Sequence, residues 1–127
     1  MNIKAYFENT PGTGVLATAD AEGLVNVALY GRPHVIDEQT VALIMSDRMS
    51  HRNLQTNPHA AYLFKEKGGY QGIRLYLTKI EEEKNSPRIA EIRRKVYPEI
   101  SDKVEQESKF LVLFRIDRTR PLIGGQA

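Results

Sequence analysis

Short apolar runs separated by polar turns dominate the first half of the chain. The runs at residues 13–19 and 24–30 are rich in valine, alanine and leucine. They flank the turn residues Asp-Ala-Glu-Gly at 20–23, so they predict a β-hairpin. Residues 40–45 and 59–64 form two further apolar runs. Because the run at 40–45 is apolar at nearly every position, it predicts a strand that is buried on both faces.

The second half is predicted from alternation and from helix-start signals. Residues 73–78 alternate apolar and polar side chains, which is the pattern of a strand with one buried face. Ser86 and Pro87 fit the N-cap and the first position of a helix, which we expect to end at Pro98. Residues 110–116 predict a last strand. Short strands joined by tight turns indicate a mainly β fold, an antiparallel barrel of six strands with short peripheral helices.

Composition limits the classes of function. The length of 127 residues fits a single domain over residues 1–127. With 18 basic and 16 acidic residues the net charge is only +2, which argues against binding a nucleic acid through bulk charge. The lack of cysteine excludes disulfides, thiolate metal ligands and cysteine nucleophiles. No apolar run reaches membrane-spanning length and the first residues lack a signal-peptide core, so we expect a cytoplasmic protein.

A polar segment at residues 46–58 lies between the buried strand and the next one, and it predicts a short helix. The start of this helix carries the side chains of Arg48, Ser50, His51, Arg52 and Asn53. A helix N-terminus has unpaired N–H groups and a partial positive charge, so added guanidinium and hydroxyl donors suit a phosphate group. The alternative is that Asp47 caps the helix and that the charged side chains lie on a solvated face. The segment by itself leaves both interpretations open.

Other motifs carry less information. The glycine-rich residues 68–72 fit a hairpin loop, and the Gly-Lys-Ser/Thr of a phosphate-binding P-loop does not follow them. Arg74 and Tyr76 share one face of a predicted strand and could stack on nucleotide bases, although surface decoration is the simpler account. The histidines lack the spacing of a metal site, and no serine stands in a nucleophile elbow. We therefore assign no catalytic acid, base or nucleophile.

The order of these features resembles the pyridoxamine 5′-phosphate oxidase-like family of flavin-binding split β-barrels. The resemblance covers about residues 10–80, and residues 46–58, with their Asn-Leu-x-x-Asn-Pro ending, match best. Residues 24–30 look like the second strand of the family. The resemblance implies a homodimer with FMN between its subunits. It also implies a small oxidoreductase or electron carrier, whose substrate or electron donor is unknown.

The resemblance implies a set of cofactor contacts as well. These are the backbone of Asn26, Val27, Ala28 and Leu29 at the isoalloxazine, Met45 and Ser46 at the ribityl chain, Arg48, Ser50, His51 and Asn53 at the phosphate, and Gln71 from the partner subunit. Many family members carry Arg-Lys where this chain has Met49-Ser50, so the positive charge at the phosphate depends on other residues here. A counterpart to the C-terminal substrate-binding segment of true pyridoxamine phosphate oxidases is not evident.

Two further functions stay open from the sequence. The same barrel could hold a deazaflavin or haem in place of FMN. Alternatively, the chain could be a non-catalytic β-barrel module that binds a nucleotide or another protein.

Overall fold

A computed structural model describes residues 2–96 and 108–125, and within these ranges it contains three helices and seven strands. In chain order the elements are α1 (Ile3–Asn9), β1 (Gly12–Ala19), β2 (Val25–Tyr30), β3 (His34–Asp37), β4 (Thr40–Ser46), α2 (Met49–Thr56), β5 (His59–Glu66), β6 (Gly72–Lys84), α3 (Arg88–Val96) and β7 (Lys109–Pro121). Every strand pairs with its neighbours in antiparallel orientation. None of the helices in the described ranges is long and apolar enough to cross a membrane.

The strands form one open sheet in the order β2-β1-β5-β6-β7-β4-β3. The prediction of a mainly β fold with short helices is confirmed, but the sheet has seven strands instead of six and is not closed. The additional strand is β3, which follows the interruption at Gly31-Arg32-Pro33 and, among the described strands, pairs only with β4. The helix α2 packs on β1 and β2 near one edge and on β4 near the other edge. One short helix can reach both regions only because the sheet curls around it.

The core fills the inner face of this curled sheet. Tyr62, Phe64, Leu75 and Phe114 are each at most 1% exposed. The short helix α1 packs on this core through Phe7, whose ring makes edge-on contacts with Tyr62 and Phe64 at centroid distances of 6.2 and 5.3 Å. Burial of these aromatic rings removes a large apolar area from water, which is the main favourable term in folding.

The helix-start signal before α3 is confirmed. The helix begins at Arg88, and the Arg88 backbone N–H donates to the Ser86 hydroxyl at 3.2 Å. The helix packs Ile89 and Ile92 on one end of the outer sheet face. Its predicted end at Pro98 lies outside the described residues. The last strand, β7, runs further than the predicted residues 110–116 because its polar second half pairs with the long strand β6.

The other end of the outer sheet face is apolar and exposed. Val25, Val27 and Leu29 on β2 are 81%, 67% and 76% exposed. The register of β2, β1 and β5 places further apolar side chains beside them. We call this surface the outer apolar face, and it consists of Val15, Ala17, Val25, Val27, Leu29, Ala61 and Leu63.

Candidate functional site

The start of α2 has an unusual cap. Arg48 is the N-cap residue, with extended backbone angles of φ −126° and ψ −166°, and no described side chain caps the helix. The Asp47 carboxylate instead lies 3.0 Å from Nδ1 of His51. The interpretation in which Asp47 caps the helix is therefore wrong. The first-turn N–H groups keep their usual capacity for an anionic acceptor.

Four polar side chains meet at this helix start, and we call them the α2 polar cluster: Asn26, Tyr30, Arg48 and Ser50. Ser50 is buried, and its hydroxyl accepts a hydrogen bond from the Asn26 amide at 3.4 Å. The Tyr30 phenol interacts with the Ser50 hydroxyl and with the positive charge of Arg48. The cluster thus combines one cation, two hydroxyls and one amide.

The Tyr30 phenol remains a hydrogen-bond donor at neutral pH. Burial raises its pKa above the ordinary value of 10.0, and this outweighs the lowering by the Ser50 hydrogen bond and the Arg48 charge. Tyr30 is not among the site residues predicted from the sequence. The period of two along β2 could have indicated it, because Asn26, Ala28 and Tyr30 share the strand face that looks towards α2.

The strand β2, which holds Asn26, Val27, Ala28 and Leu29, lies at an edge of the sheet. It pairs with β1 on one side, and within the described residues no strand pairs with its other side. An edge strand presents backbone N–H and C=O groups in a row. Such a row can hydrogen-bond the polar rim of a flat ring laid beside it. The predicted ring contacts and the α2 polar cluster are therefore neighbours.

His51 has contacts that the sequence does not indicate. It is 6% exposed, and its ring stacks on Phe110 with 3.8 Å between ring centroids and 19° between planes. Its Nδ1 faces Asp47, and its Nε2 lies 3.1 Å from a carboxylate oxygen of Glu82. Both ring nitrogens thus have carboxylate neighbours. These contacts favour a role in fastening α2 to β6 and β7 over direct binding of a phosphate.

Glu82 is the centre of this fastening network. Its carboxylate accepts hydrogen bonds from Lys79 at 2.6 Å and from Gln55 at 3.0 Å, besides its contact with His51. Burial acts to raise the pKa of Glu82, but the hydrogen bonds from Lys79, Gln55 and His51 together with the Lys79 charge lower it to about 2. Glu82 is therefore ionised throughout the neutral range. Although carboxylates surround His51, no group of residues in the described ranges could hold a metal ion.

The remaining predicted residues are dispersed. Asn53 is buried, and its amide donates to the Thr18 hydroxyl on β1 at 3.1 Å. Met45 is 1% exposed and belongs to the core, so only its backbone can meet a ligand. Ser46 accepts a hydrogen bond from Lys109. Gln71 is exposed in the β5–β6 loop, at the opposite end of β5 from α2. Within one chain it does not join the α2 polar cluster, which is compatible with its expected role in the partner subunit.

A cavity of about 530 Å³ lies between α1 and β3, and none of the predicted site residues lines it. Its walls include Lys4, Phe7, Arg32 and His34. Arg32 is held there by its donation to the Phe7 carbonyl at 2.9 Å. The cavity therefore belongs to the packing of α1 on the sheet and not to the start of α2.

No family model matches the chain, and no curated protein matches it. The structure, in contrast, is similar to many solved structures.

An FMN-binding protein from Syntrophomonas wolfei subsp. wolfei superposes with a TM-score of 0.80 at 14% identity, over 98% of this chain and 86% of that one. A putative pyridoxamine 5′-phosphate oxidase from Lactobacillus delbrueckii matches with a TM-score of 0.66 at 19% identity, over 91% and 87% of the two chains. HutZ, the haem storage protein from Vibrio cholerae, matches with a TM-score of 0.64 at 20% identity, over 90% and 92%. The chain has the split-barrel fold of the pyridoxamine 5′-phosphate oxidase-like proteins.

Proposed function

We propose that this protein binds FMN and acts as a small flavin oxidoreductase or electron carrier. The observation that carries the proposal is the α2 polar cluster beside the open edge of β2. Donors that suit a phosphate and a strand edge that suits a flat ring are thereby adjacent, as a flavin mononucleotide requires. The likeness to an FMN-binding protein across nearly the whole chain supports the same assignment.

The donor set at the helix start fits a phosphate monoester. The Arg48 guanidinium supplies charge and several N–H donors, while Ser50 and Tyr30 supply hydroxyls. The N-terminal turn of α2 adds its dipole and backbone N–H groups. Arg52 contributes less, because its side chain is 67% exposed and lies 4.0 Å from Asp47. Binding of the phosphate therefore depends mainly on Arg48.

The ring end of the cofactor would lie along β2. Backbone groups of Asn26, Val27, Ala28 and Leu29 would hold the polar rim of the isoalloxazine, and apolar neighbours would exclude water. Bound FMN supplies the redox chemistry, because it accepts and donates one or two electrons. The protein contributes position and phosphate anchoring.

The proposal includes a homodimer. The residues of the outer apolar face are contiguous, and those on β2 are largely exposed. Contiguous exposed apolar patches on soluble proteins commonly mark interfaces, whereas scattered apolar residues do not. It begins on β2, so a cofactor beside β2 would lie at the subunit boundary. In that arrangement Gln71 of one subunit would approach the flavin of the other.

A second candidate cofactor is haem, because HutZ has the same fold. The α2 polar cluster favours FMN over haem, since a guanidinium and two hydroxyls at a helix start match a phosphate. A deazaflavin that carries a phosphate would use the same groups. Visible absorbance of the purified protein separates these cofactors.

The decisive test compares FMN with riboflavin, which lacks the phosphate. We expect the protein to bind FMN in a ratio of about one per chain and to prefer it over riboflavin. The substitution Arg48→Ala should weaken FMN binding by about tenfold or more, since charge-assisted hydrogen bonds are lost, and should leave riboflavin binding nearly unchanged. The measurement is quenching of flavin fluorescence during titration.

Arg52→Ala is the matched control, because it removes an exposed cation from the same helix. It should change the FMN dissociation constant by about twofold or less. Equal affinity for FMN and riboflavin would contradict the phosphate site. A colourless protein that fails to bind added FMN would overturn the assignment.

A further inference from the structure

Three arginines share the outer face of β6 and β7. Arg74 on β6 lies directly opposite Arg120 on β7, and Tyr76 lies opposite Arg118. We call these four residues the arginine face. Leu75 and Leu77, which alternate with them on β6, point into the core. The arginine face is thus on the side of the sheet opposite to α2, next to the outer apolar face.

The charges of the arginine face are not neutralised within the described residues. Arg74, Arg118 and Arg120 form no ion pair there, whereas Arg115 on the same strand pairs with Asp117 at 2.6 Å. Like charges placed directly opposite each other on neighbouring strands destabilise the sheet. A bound anion would remove this repulsion.

Two of the guanidinium groups are held in fixed positions. Arg74 donates from Nε to the Pro121 carbonyl at 2.8 Å and from Nη2 to the Gly124 carbonyl at 2.6 Å. The Arg120 guanidinium lies over the Tyr76 ring, 5.8 Å from its centroid. Nε of Arg120 is buried and has no hydrogen-bond partner in the described part of the chain. A buried donor without a partner is uncommon in native proteins, and an ion that completes its bonding is one explanation.

We infer that the arginine face binds the phosphate group of a small phosphorylated ligand, at a site separate from the α2 polar cluster. A phosphate offers several acceptor oxygens and more than one negative charge, which match guanidinium groups that share one face of two paired strands. The near-balanced charge of +2 argues against a long polyanion such as nucleic acid.

A carboxylate from a second copy of the chain fits the arginine face less well than a diffusible phosphate does. The outward positions of β1, β2 and β5 carry apolar, threonine, histidine and lysine side chains, and no carboxylate. A copy that docks through the outer apolar face therefore brings no acidic group from these strands. A diffusible phosphate can reach the arginine face however the two copies dock.

Inorganic pyrophosphate is a suitable probe, with titration calorimetry as the measurement. We expect the full chain to bind it at the arginine face in addition to the α2 polar cluster, and Arg120→Gln and Arg118→Gln each to weaken binding at the arginine face by about tenfold or more. Arg115→Gln is the matched control, because Arg115 lies on the same strand and is already paired. It should alter binding by about twofold or less. Arg48→Ala should leave pyrophosphate binding at this site intact.

Three outcomes would overturn the inference. One is the absence of pyrophosphate binding to the wild-type protein. Another is a loss of binding in Arg48→Ala but not in Arg120→Gln, which would place the probe at the α2 polar cluster. The third is that Arg118→Gln and Arg120→Gln leave binding unchanged and shift only the oligomeric state, which would make the arginines contacts to a second copy. Thermal melting and FMN content of each variant verify that the fold and the flavin site are preserved.

Discussion

Among single residues, His51 has the contacts that are hardest to foresee from the sequence. The sequence places it beside arginines at a helix start, which suggests a phosphate ligand. The structure places it between Asp47 and Glu82 and against Phe110. Glu82 is 31 residues away in sequence, so no local pattern could have indicated the contact. Spacing along the chain predicts which residues share a helix face, but not which distant carboxylate comes to meet them.

We expect His51→Gln to destabilise the fold by about 1–3 kcal/mol, since the buried ring loses its stack on Phe110 and its contacts with the partly exposed carboxylates of Asp47 and Glu82 are weakened. Urea unfolding followed by circular dichroism measures the change. His59→Gln, at an exposed histidine on β5, is the control and should cost less than about 0.5 kcal/mol. If both variants unfold at the same urea concentration as the wild type, the fastening role of His51 is refuted.

The low pKa of Glu82 predicts a pH-dependent stability. The pKa falls from 4.5 to about 2 on folding, so the folded state favours the ionised carboxylate. This contribution is complete above pH 4.5 and is lost as the pH falls towards 2. The free energy of unfolding should therefore differ most between wild type and Glu82→Gln at neutral pH, and the difference should shrink across that window.

Urea titrations at several pH values test this prediction. The exposed Glu38, in the β3–β4 turn, provides the control, because Glu38→Gln should follow the wild type at every pH. A difference between wild type and Glu82→Gln that stays constant from neutral to acidic pH would contradict the assignment.

At the scale of elements, the sequence predicts the parts with strong local signals. The β1–β2 hairpin, the buried β4, the polar α2 and the start of α3 all follow from turns, periodicity or caps. The missed elements are α1 and β3, which are short. Asn2 is a local start signal for α1, because its side chain accepts a hydrogen bond from the Ala5 N–H, but both elements also depend on packing. Phe7 of α1 is buried against core aromatic rings, and β3 is fixed by its pairing with β4 and by its contacts with α1. Tertiary contacts outweigh propensity in such short segments.

The attachment of α2 to β1 gives a prediction at this scale. Asn53 and Thr18 are both buried and hydrogen-bonded to each other at 3.1 Å. Thr18→Val should cost about 1–3 kcal/mol of unfolding free energy, because it leaves the Asn53 amide without its acceptor. The double variant Thr18→Val/Asn53→Leu should lose less unfolding free energy than the two single variants lose together.

Thr13→Val is the control for that double-mutant cycle, because Thr13 is exposed on the same strand. It should change the unfolding free energy by less than about 0.5 kcal/mol. Strict additivity of the Thr18 and Asn53 changes would show that the hydrogen bond does not couple α2 to β1.

At the scale of the whole molecule, two surfaces of different chemistry share the outer side of the sheet. The outer apolar face covers β2, β1 and β5, and the arginine face follows directly on β6 and β7. The inner side holds the core and the α2 polar cluster. The alternation of apolar and polar residues predicted that β6 has one apolar and one polar face. It could not predict that Arg74 of β6 lies beside the arginines of β7, because the order of strands in the sheet is not contained in the pattern of one strand.

The outer apolar face predicts the behaviour of the assembly. Val27→Lys introduces a charge at an exposed position of this face, so it should convert the proposed dimer to monomers and weaken flavin binding with little loss of fold. Light scattering coupled to size-exclusion chromatography measures the mass. Ile36→Lys, on β3 at the opposite edge of the sheet, should leave the mass unchanged. A wild-type protein that is monomeric at working concentration would contradict the dimer.

The position of β7 in the sheet has a consequence for synthesis. Its neighbours are β6 and β4, and its pairing with β4 joins residues 63 positions apart, as at Ser46 and Lys109. While the chain emerges from the ribosome, β1, β2, β5 and β6 can already pair with one another, but the apolar β4 has only the short β3 beside it. Until β7 arrives, no strand joins the two parts of the sheet, and the edges of β4 and β6 that β7 covers stay open to wrong pairing; the β4 edge is the more apolar of the two.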